Sequence, residues 1–177
     1  MQLPVLQSNC DACLALCCRA YSFERSEAFA INKAAGQPCP HLKNARCSIY
    51  ADRAALGFSG CVNYDCLGAG QRVVAALASE MTKATSDEVL AKLPLTRRLH
   101  EQLTLLLAAL KLPLGSRQLG QVRSLLEQAA GYARSTLSEL TDGEVERLEF
   151  QTSQLLVRLR HNRAVAQLAR AQTRHRS

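Results

Sequence analysis

Asn9–Phe23 reads NCDACLALCCRAYSF and sets four thiols, Cys10, Cys13, Cys17 and Cys18, within nine positions. On a helix, at about 100° per residue, Cys10, Cys13 and Cys17 fall within roughly 60° of one another, while Cys18 lies about 100° from Cys17. On an extended backbone the vicinal pair diverges further, because neighbouring side chains point to opposite faces. Either way Cys17 and Cys18 chelate one ion only with difficulty. The simplest expectation is that this segment serves two adjacent centres, or one polynuclear centre.

Working outward, the chain holds four more cysteines, Cys39, Cys47, Cys61 and Cys66, so all eight lie within 57 positions of a 177-residue sequence. The later spacings are wider than the C-x-x-C knuckle of zinc ribbons. Eight thiolates suffice for two four-thiolate sites, and thiolate-only ligation selects zinc, iron–sulfur or monovalent copper. The start, MQLPVLQSNC, has neither a basic n-region nor an apolar h-region, and no run approaches the roughly 18 apolar residues of a membrane span. We therefore expect a cytoplasmic protein without membrane contact, in which clustered thiols bind metal rather than form disulfides. The metal ligands predicted are Cys10, Cys13, Cys17, Cys18, Cys39, Cys47, Cys61 and Cys66. Crowded anionic ligands repel one another, so metal loading should couple to folding of this part.

Composition divides the chain. Residues 1–70 carry the cysteines and six of the eight aromatic residues, with turn-rich stretches such as GQPCPHLKNARC and GFSGCVNYDC. They read as loops with brief helices and a strand at CSIY, an irregular metal-binding module with few apolar side chains for a core. Residues 71–177 turn to Leu, Ala, Arg, Gln and Glu and become periodic. In the stretch from Ser116 to Leu137, Leu119, Val122, Leu126, Ala129 and Ala133 make one apolar stripe; from Asp142 onward Val145, Leu148, Thr152, Leu155 and Leu159 repeat it. Further helices are expected over QRVVAALASEMTKA and TRRLHEQLTLLLAAL, with Ser86 or Asp87 capping a short turn before Pro94. The predicted fold class is mostly α: the cysteine module followed by an antiparallel bundle of three or four helices.

Charge is uneven. Residues 1–70 hold six Lys/Arg against five Asp/Glu, and residues 71–177 hold 16 against 10, so the second part carries +6 of the net +7. After Glu149 come Arg158, Arg160, Arg163, Arg170, Arg174 and Arg176, a basic C-terminal helix with no aromatic interleaved. Its ordinary reading is a solvated helix face, and nucleic acid is not the expected partner.

Between Cys10 and Gln71, CDACLALCC, CPHL, CSIYADR and CVNYDC together resemble the cysteine-cluster family named for its CxxCxxCC motif and described as zinc- or iron-chelating. Cys39 and Leu42 match its C-x-x-L step; Cys47, Ile49, Tyr50 and Arg53 match its C-x-I-Y-x-x-R step. The stretches GCVNYDCLGAGQ and LTRRLHEQLTLLLAAL are similar to a variant found beside pentapeptide repeats, though no such repeats occur here. This chain departs from the pattern in its opening C-x2-C-x3-CC spacing and in RAALGF, where an Arg-Pro is common. The resemblance implies a bound metal, zinc or iron, without choosing between them.

No residue is assigned a catalytic role, and whether the chain is an enzyme is left open. His41 is the single histidine of the cysteine-rich part; a thiol–imidazole pair is conceivable there, but a loop histidine beside Pro40 is the plainer reading. Arg98, His100 and Glu101 read as surface or packing residues of a helix. Asp65 reads as the start of a turn and Tyr64 as a packing residue. The GAG at Gly68–Gly70 lacks the third glycine of a dinucleotide loop. The expected function is a metal-binding protein holding zinc or an iron–sulfur centre, with a redox or sensing role if the metal is iron. The alternative is a metal-stapled adaptor whose basic helices bind a protein or nucleic-acid partner without catalysis.

Overall fold

The computed structural model describes residues 2–79 and 84–160. Of the basic C-terminal helix only Arg158 and Arg160 fall inside that range; Arg163, Arg170, Arg174 and Arg176 lie outside the described residues. The chain is mostly α-helical. Helices run over α1 Cys17–Ala20, α2 Ser59–Asn63, α3 Ala69–Ser79, α4 Ser86–Ala109, α5 Ser116–Arg134 and α6 Asp142–Arg160. A 3₁₀ turn at Cys10–Ala12 precedes α1, and two short antiparallel strands, β1 Leu42–Lys43 and β2 Arg46–Cys47, pair Leu42 with Cys47 and Lys43 with Arg46. No helix among the described residues is long and apolar enough to cross a membrane.

Two compact units form, and the division between them falls within α4, at Arg97 and Arg98. The first comprises residues 5–97 and 136–138; the described part of the second comprises residues 2–4, 98–135 and 139–160.

In the second unit the α6 stripe is the one the periodicity predicts: Val145, Leu148, Thr152, Leu155 and Leu159 are all buried. The α5 stripe buries Val122, Leu126, Ala129, Ala130 and Ala133, and α5 packs against α6. Leu119, at the head of the expected stripe, is only half-buried. Arg98 of α4 reaches α6 through Nε and Nη2, which donate to the Glu149 carboxylate at 2.9 and 2.6 Å, and through Nη1, which donates to Asp142. His100 is fully buried, so it packs rather than faces solvent. Thr141 opens α6 with a capping box: the Glu144 carboxylate accepts from the Thr141 amide at 3.0 Å, and the Thr141 hydroxyl accepts from the Glu144 amide at 3.3 Å.

Two local expectations are corrected. The stretch before Pro94 is not a separate short turn, because α4 runs unbroken from Ser86 to Ala109 with Pro94 inside it. The lost hydrogen bond and ring crowding of an internal proline cost about 3 kcal/mol. Leu90, Leu93 and Leu95 are buried around it, and each buried leucine returns about 1.5–3 kcal/mol, so continuity wins. The helix cap is Thr85, not Ser86 or Asp87: the Glu88 carboxylate accepts from the Thr85 amide at 2.6 Å, and the Thr85 hydroxyl accepts from the Glu88 amide at 3.3 Å. A reciprocal pair satisfies more orphan amides than a lone cap.

Candidate metal centre

The opening segment is neither a continuous helix nor a strand. Helical turns at Cys10–Ala12 and Cys17–Ala20 are separated by Leu14 and Ala15, both left-handed at φ 51°. A non-glycine residue in that region costs roughly 1–2 kcal/mol, so two in succession persist only where their surroundings fix them. The kink buries Leu16 and Cys13 while Cys10 remains exposed. It also accommodates the three residues between Cys13 and Cys17.

All eight cysteines lie in the first unit as free thiols. They fall into two neighbourhoods. Around Cys13 are Cys17, Cys66 and Cys10; burial is the main cause that pushes the Cys13 thiol up, and the negative charges of those three neighbours push the same way. Around Cys61 are Cys17, Cys39 and Cys47; burial again raises the thiol first, the three neighbouring charges add to it, and the Arg53 guanidinium opposes them. Cys17 belongs to both neighbourhoods, and its thiol is pushed up foremost by its hydrogen bond with Cys18. Cys17 is therefore where the two neighbourhoods meet, with Cys18 bonded to it.

The first neighbourhood is built on the start of α3, which packs against the Cys10–Ala12 turn. Gln71 clamps the incoming chain: its Oε1 accepts from the Asn9 amide and its Nε2 donates to the Gln7 carbonyl, each at 2.9 Å. Ser8 Oγ lies 3.0 Å from Cys66 Sγ and donates to Asp65 Oδ1. Gly70 makes room for Cys13, because a Cβ there would stand 2.5 Å from Cys13 Sγ, whereas Cys66 Sγ at 3.8 Å would be in ordinary contact. Gly68, at φ +81°, lets the Val5 carbonyl pass where a Cβ would sit 2.0 Å from its oxygen.

The second neighbourhood is held by main-chain bonds. The Cys39 amide donates to the Cys18 carbonyl and the Leu42 amide to the Cys39 carbonyl, each at 2.9 Å. The β1–β2 turn then returns the chain so that Cys47 faces Leu42, with Asn44 and Ala45 both left-handed as a two-residue hairpin turn requires. Of the expected CSIY strand only Cys47 is extended, paired in β2 with Arg46 before it; Ser48–Tyr50 turn away. Arg53 explains its place in the C-x-I-Y-x-x-R step. Its guanidinium lies 3.8 Å from the Tyr50 ring centre, its Nε donates to the Tyr50 carbonyl, and its Nη1 donates to the Cys61 carbonyl at 2.9 Å.

His41 is half-buried with its ring edge-on to Phe58 at 5.2 Å, a packing position. Asp65 does open a turn, accepting from the Leu67 amide at 2.8 Å, and Tyr64 packs edge-on against Tyr21, to whose hydroxyl it donates at 3.0 Å. Sequence reasoning passed over Lys33, whose side chain is only 7 % exposed. It also passed over Gln71, and weighed Gly70 only as part of a dinucleotide loop. A buried lysine leaves no pattern in a sequence, and a glycine that makes room for sulfur looks like any helix-start glycine.

As placed, no group of three or more His, Cys, Asp or Glu among the described residues closes on a common point at ligand distances. The donor set is all sulfur, soft and anionic once deprotonated, and at Gly70 the backbone gives way to the Cys13 sulfur. Those features fit a thiophilic cation. Holding one requires the thiols of a neighbourhood to turn inward and lose their protons.

No family model matches the chain. A Bacillus subtilis (strain 168) protein described as "Uncharacterized protein YybG" is 30% identical to it over 180 residues, an alignment covering 96% of this chain. The chain spans 61% of the length of that relative. No solved structure matches.

Proposed function

We propose that this chain binds metal through Cys10, Cys13, Cys17, Cys18, Cys39, Cys47, Cys61 and Cys66, as zinc or as an iron–sulfur centre. The observation that carries the reading is the grouping of free thiols, Cys10, Cys13 and Cys66 on one side and Cys39, Cys47 and Cys61 on the other, with Cys17 common to both and bonded to Cys18. Cys10, Cys13 and Cys66 would hold one centre on the start of α3. Cys39, Cys47 and Cys61 would hold the other beside the hairpin, with Cys17 and Cys18 completing the two sets. Thiolate ligation of zinc supplies structural fastening, and of an iron–sulfur cluster, electron transfer or oxidant sensing. Arg53 anchors the Cys61 carbonyl and Gln71 fixes residues 7–9, so both centres would rest on hydrogen-bonded backbone.

The resemblance to the CxxCxxCC family supports the same reading. Elemental analysis and an absorption spectrum of protein purified without oxygen test it. A visible charge-transfer band with iron identifies a cluster; a colourless zinc-replete sample identifies zinc. Folded protein free of both metals would overturn the reading. Cys17→Ser and Cys18→Ser should each lower metal content, and unchanged stoichiometry in both would refute the shared position of this pair.

A further inference from the structure

Helix α6 carries two stripes. The buried one, Val145, Leu148, Thr152, Leu155 and Leu159, is the side that packs into the second unit. On the other side Glu146, Phe150, Ser153, Val157 and Arg160 recur at alternating steps of four and three residues, and all five are exposed. At about 100° per residue they fall within roughly 80° of one another, centred about 140° from the buried stripe. Phe150 is 65 % exposed and Val157 49 %, against 39 % for Leu105, the other large apolar side chain exposed among the described residues of this unit. A helix face that meets only water carries polar groups at such positions, whereas alternating steps of four and three are the seam along which one helix packs lengthwise on another.

The order of residues along this seam says what fits it. From Glu146 to Arg160 it runs acid, apolar, small, apolar, base. Turned end for end it runs base, apolar, small, apolar, acid. An antiparallel second copy therefore sets Glu146 against Arg160, Phe150 against Val157 and Ser153 against Ser153. Every unlike pair then occurs twice about a two-fold axis at Ser153, as an isologous interface requires. Serine at the crossing point is small enough to let the two helices approach. A parallel copy would instead set Glu146 against Glu146 and Arg160 against Arg160, and like charges held face to face repel. The chain thus supplies the complement of its own seam, in one orientation and not the other.

We propose that the outward stripe of α6 is a homodimer interface, on which a second copy of this chain docks antiparallel with Phe150 packed on Val157 and Glu146 paired with Arg160 about a two-fold axis at Ser153. The proposal does not depend on metal binding, since every residue in it belongs to the second unit. The apolar pairs supply the affinity, and the charges at the two ends set the orientation. A seam one helix wide lies at the small end of specific interfaces, so a dissociation constant of roughly micromolar is expected.

Sedimentation equilibrium of the full chain as purified, under reducing conditions that prevent linkage through the cysteines, measures the association. Wild type should pass from monomer to dimer as its concentration rises through the roughly micromolar range. Phe150→Glu should weaken the dimer by roughly thirtyfold or more, as loss of a central aromatic anchor does. Glu146→Arg and Arg160→Glu should each weaken it roughly tenfold, and the two in one chain should bring it back to within a few-fold of wild type, because acid again meets base. These positions are exposed, so each variant should keep the wild-type helical melt; where Phe150→Glu does not, the charge reversals decide. A wild type that stays monomeric at every concentration overturns the proposal and leaves the stripe to a different protein or to residues beyond Arg160. A dimer that Phe150→Glu leaves intact places the contact elsewhere and overturns it too. Single reversals without effect, or a double reversal that fails to recover, refute the antiparallel pairing.

Discussion

At Gly70 a single missing methyl makes room for the Cys13 sulfur. A Gly→Ala change inside a helix ordinarily gains up to about 1 kcal/mol in propensity. Here the new Cβ would lie 2.5 Å from Cys13 Sγ and 3.2 Å from Cys13 Cβ, and Cys13 is itself buried, so the sulfur cannot simply swing into solvent. Overpacking of a tight site costs about 1–3 kcal/mol, which outweighs the propensity gain. Gly70→Ala should therefore lower the urea midpoint and reduce metal content together. Wild-type metal content in a normally folded variant would show that the close seating of Cys13 against α3 is not needed to hold metal. Ala45 makes the converse case. It sits left-handed at φ 57° in the hairpin turn, a conformation costing a non-glycine residue roughly 1–2 kcal/mol. Ala45→Gly should stabilise the chain by up to about 1 kcal/mol after the entropy of glycine is subtracted, a gain that equilibrium urea unfolding would measure. Count and spacing nominate the eight candidate ligands but not how the chain arranges them, because that depends on the left-handed pair Leu14–Ala15, and neither residue is a glycine or asparagine that would signal such a step.

At the level of elements, α6 was legible residue by residue, since Val145, Leu148, Thr152, Leu155 and Leu159 recur at helical spacing and all are buried. The unbroken α4 was not, because a proline rule is local whereas burial of Leu90, Leu93 and Leu95 is decided by tertiary packing. The start of α6 carries a definite expectation. Thr141→Ala removes the hydroxyl that caps the Glu144 amide and should cost about 1 kcal/mol in thermal or urea unfolding. The pH dependence follows from the same pair. The Thr141 hydroxyl, and then its amide, hold the Glu144 carboxyl below the usual carboxylate range. A carboxyl depressed in the folded state contributes stability that is present above its unfolded value and is lost as pH falls through the folded one. Because Glu144 is exposed, the contribution is small and screened by salt. The Thr141→Ala variant should accordingly show a shallower loss of stability between about pH 5 and pH 3 than wild type, most visibly at low ionic strength.

Across the molecule, two kinds of cohesion divide the chain. From Arg98 onward the interior is aliphatic: Leu99, Leu103, Leu106, Leu126, Leu148 and Leu155 are at most 1 % exposed. Leu148→Ala should cost about 2–5 kcal/mol and be visible as a lowered helical melting transition with metal content retained. From Val5 to Cys66, by contrast, the buried apolar side chains are Cys13, Leu16, Phe58 and Cys66, and two of those four are candidate ligands. At about 1.5–3 kcal/mol for a large apolar side chain, such burial cannot offset backbone ordering of about 1–2 kcal/mol per residue over some 60 positions. Short main-chain hydrogen bonds, and those that Lys33 Nζ donates to the Arg19, Tyr21 and Ala34 carbonyls, help locally, but each contributes only about 1 kcal/mol net. Bound cations would supply the balance, as in small domains whose folding and metal uptake are one event. Stripping the full chain with a chelator under reducing conditions should therefore open residues 5–66 to proteolysis while most of the far-ultraviolet helical signal survives, being carried by α4, α5 and α6. Restoring zinc or iron should restore protection at the same peptide bonds. If the stripped protein resists protease in that stretch as well as the loaded one, sulfur-bound metal is not what holds the cysteine-rich part together.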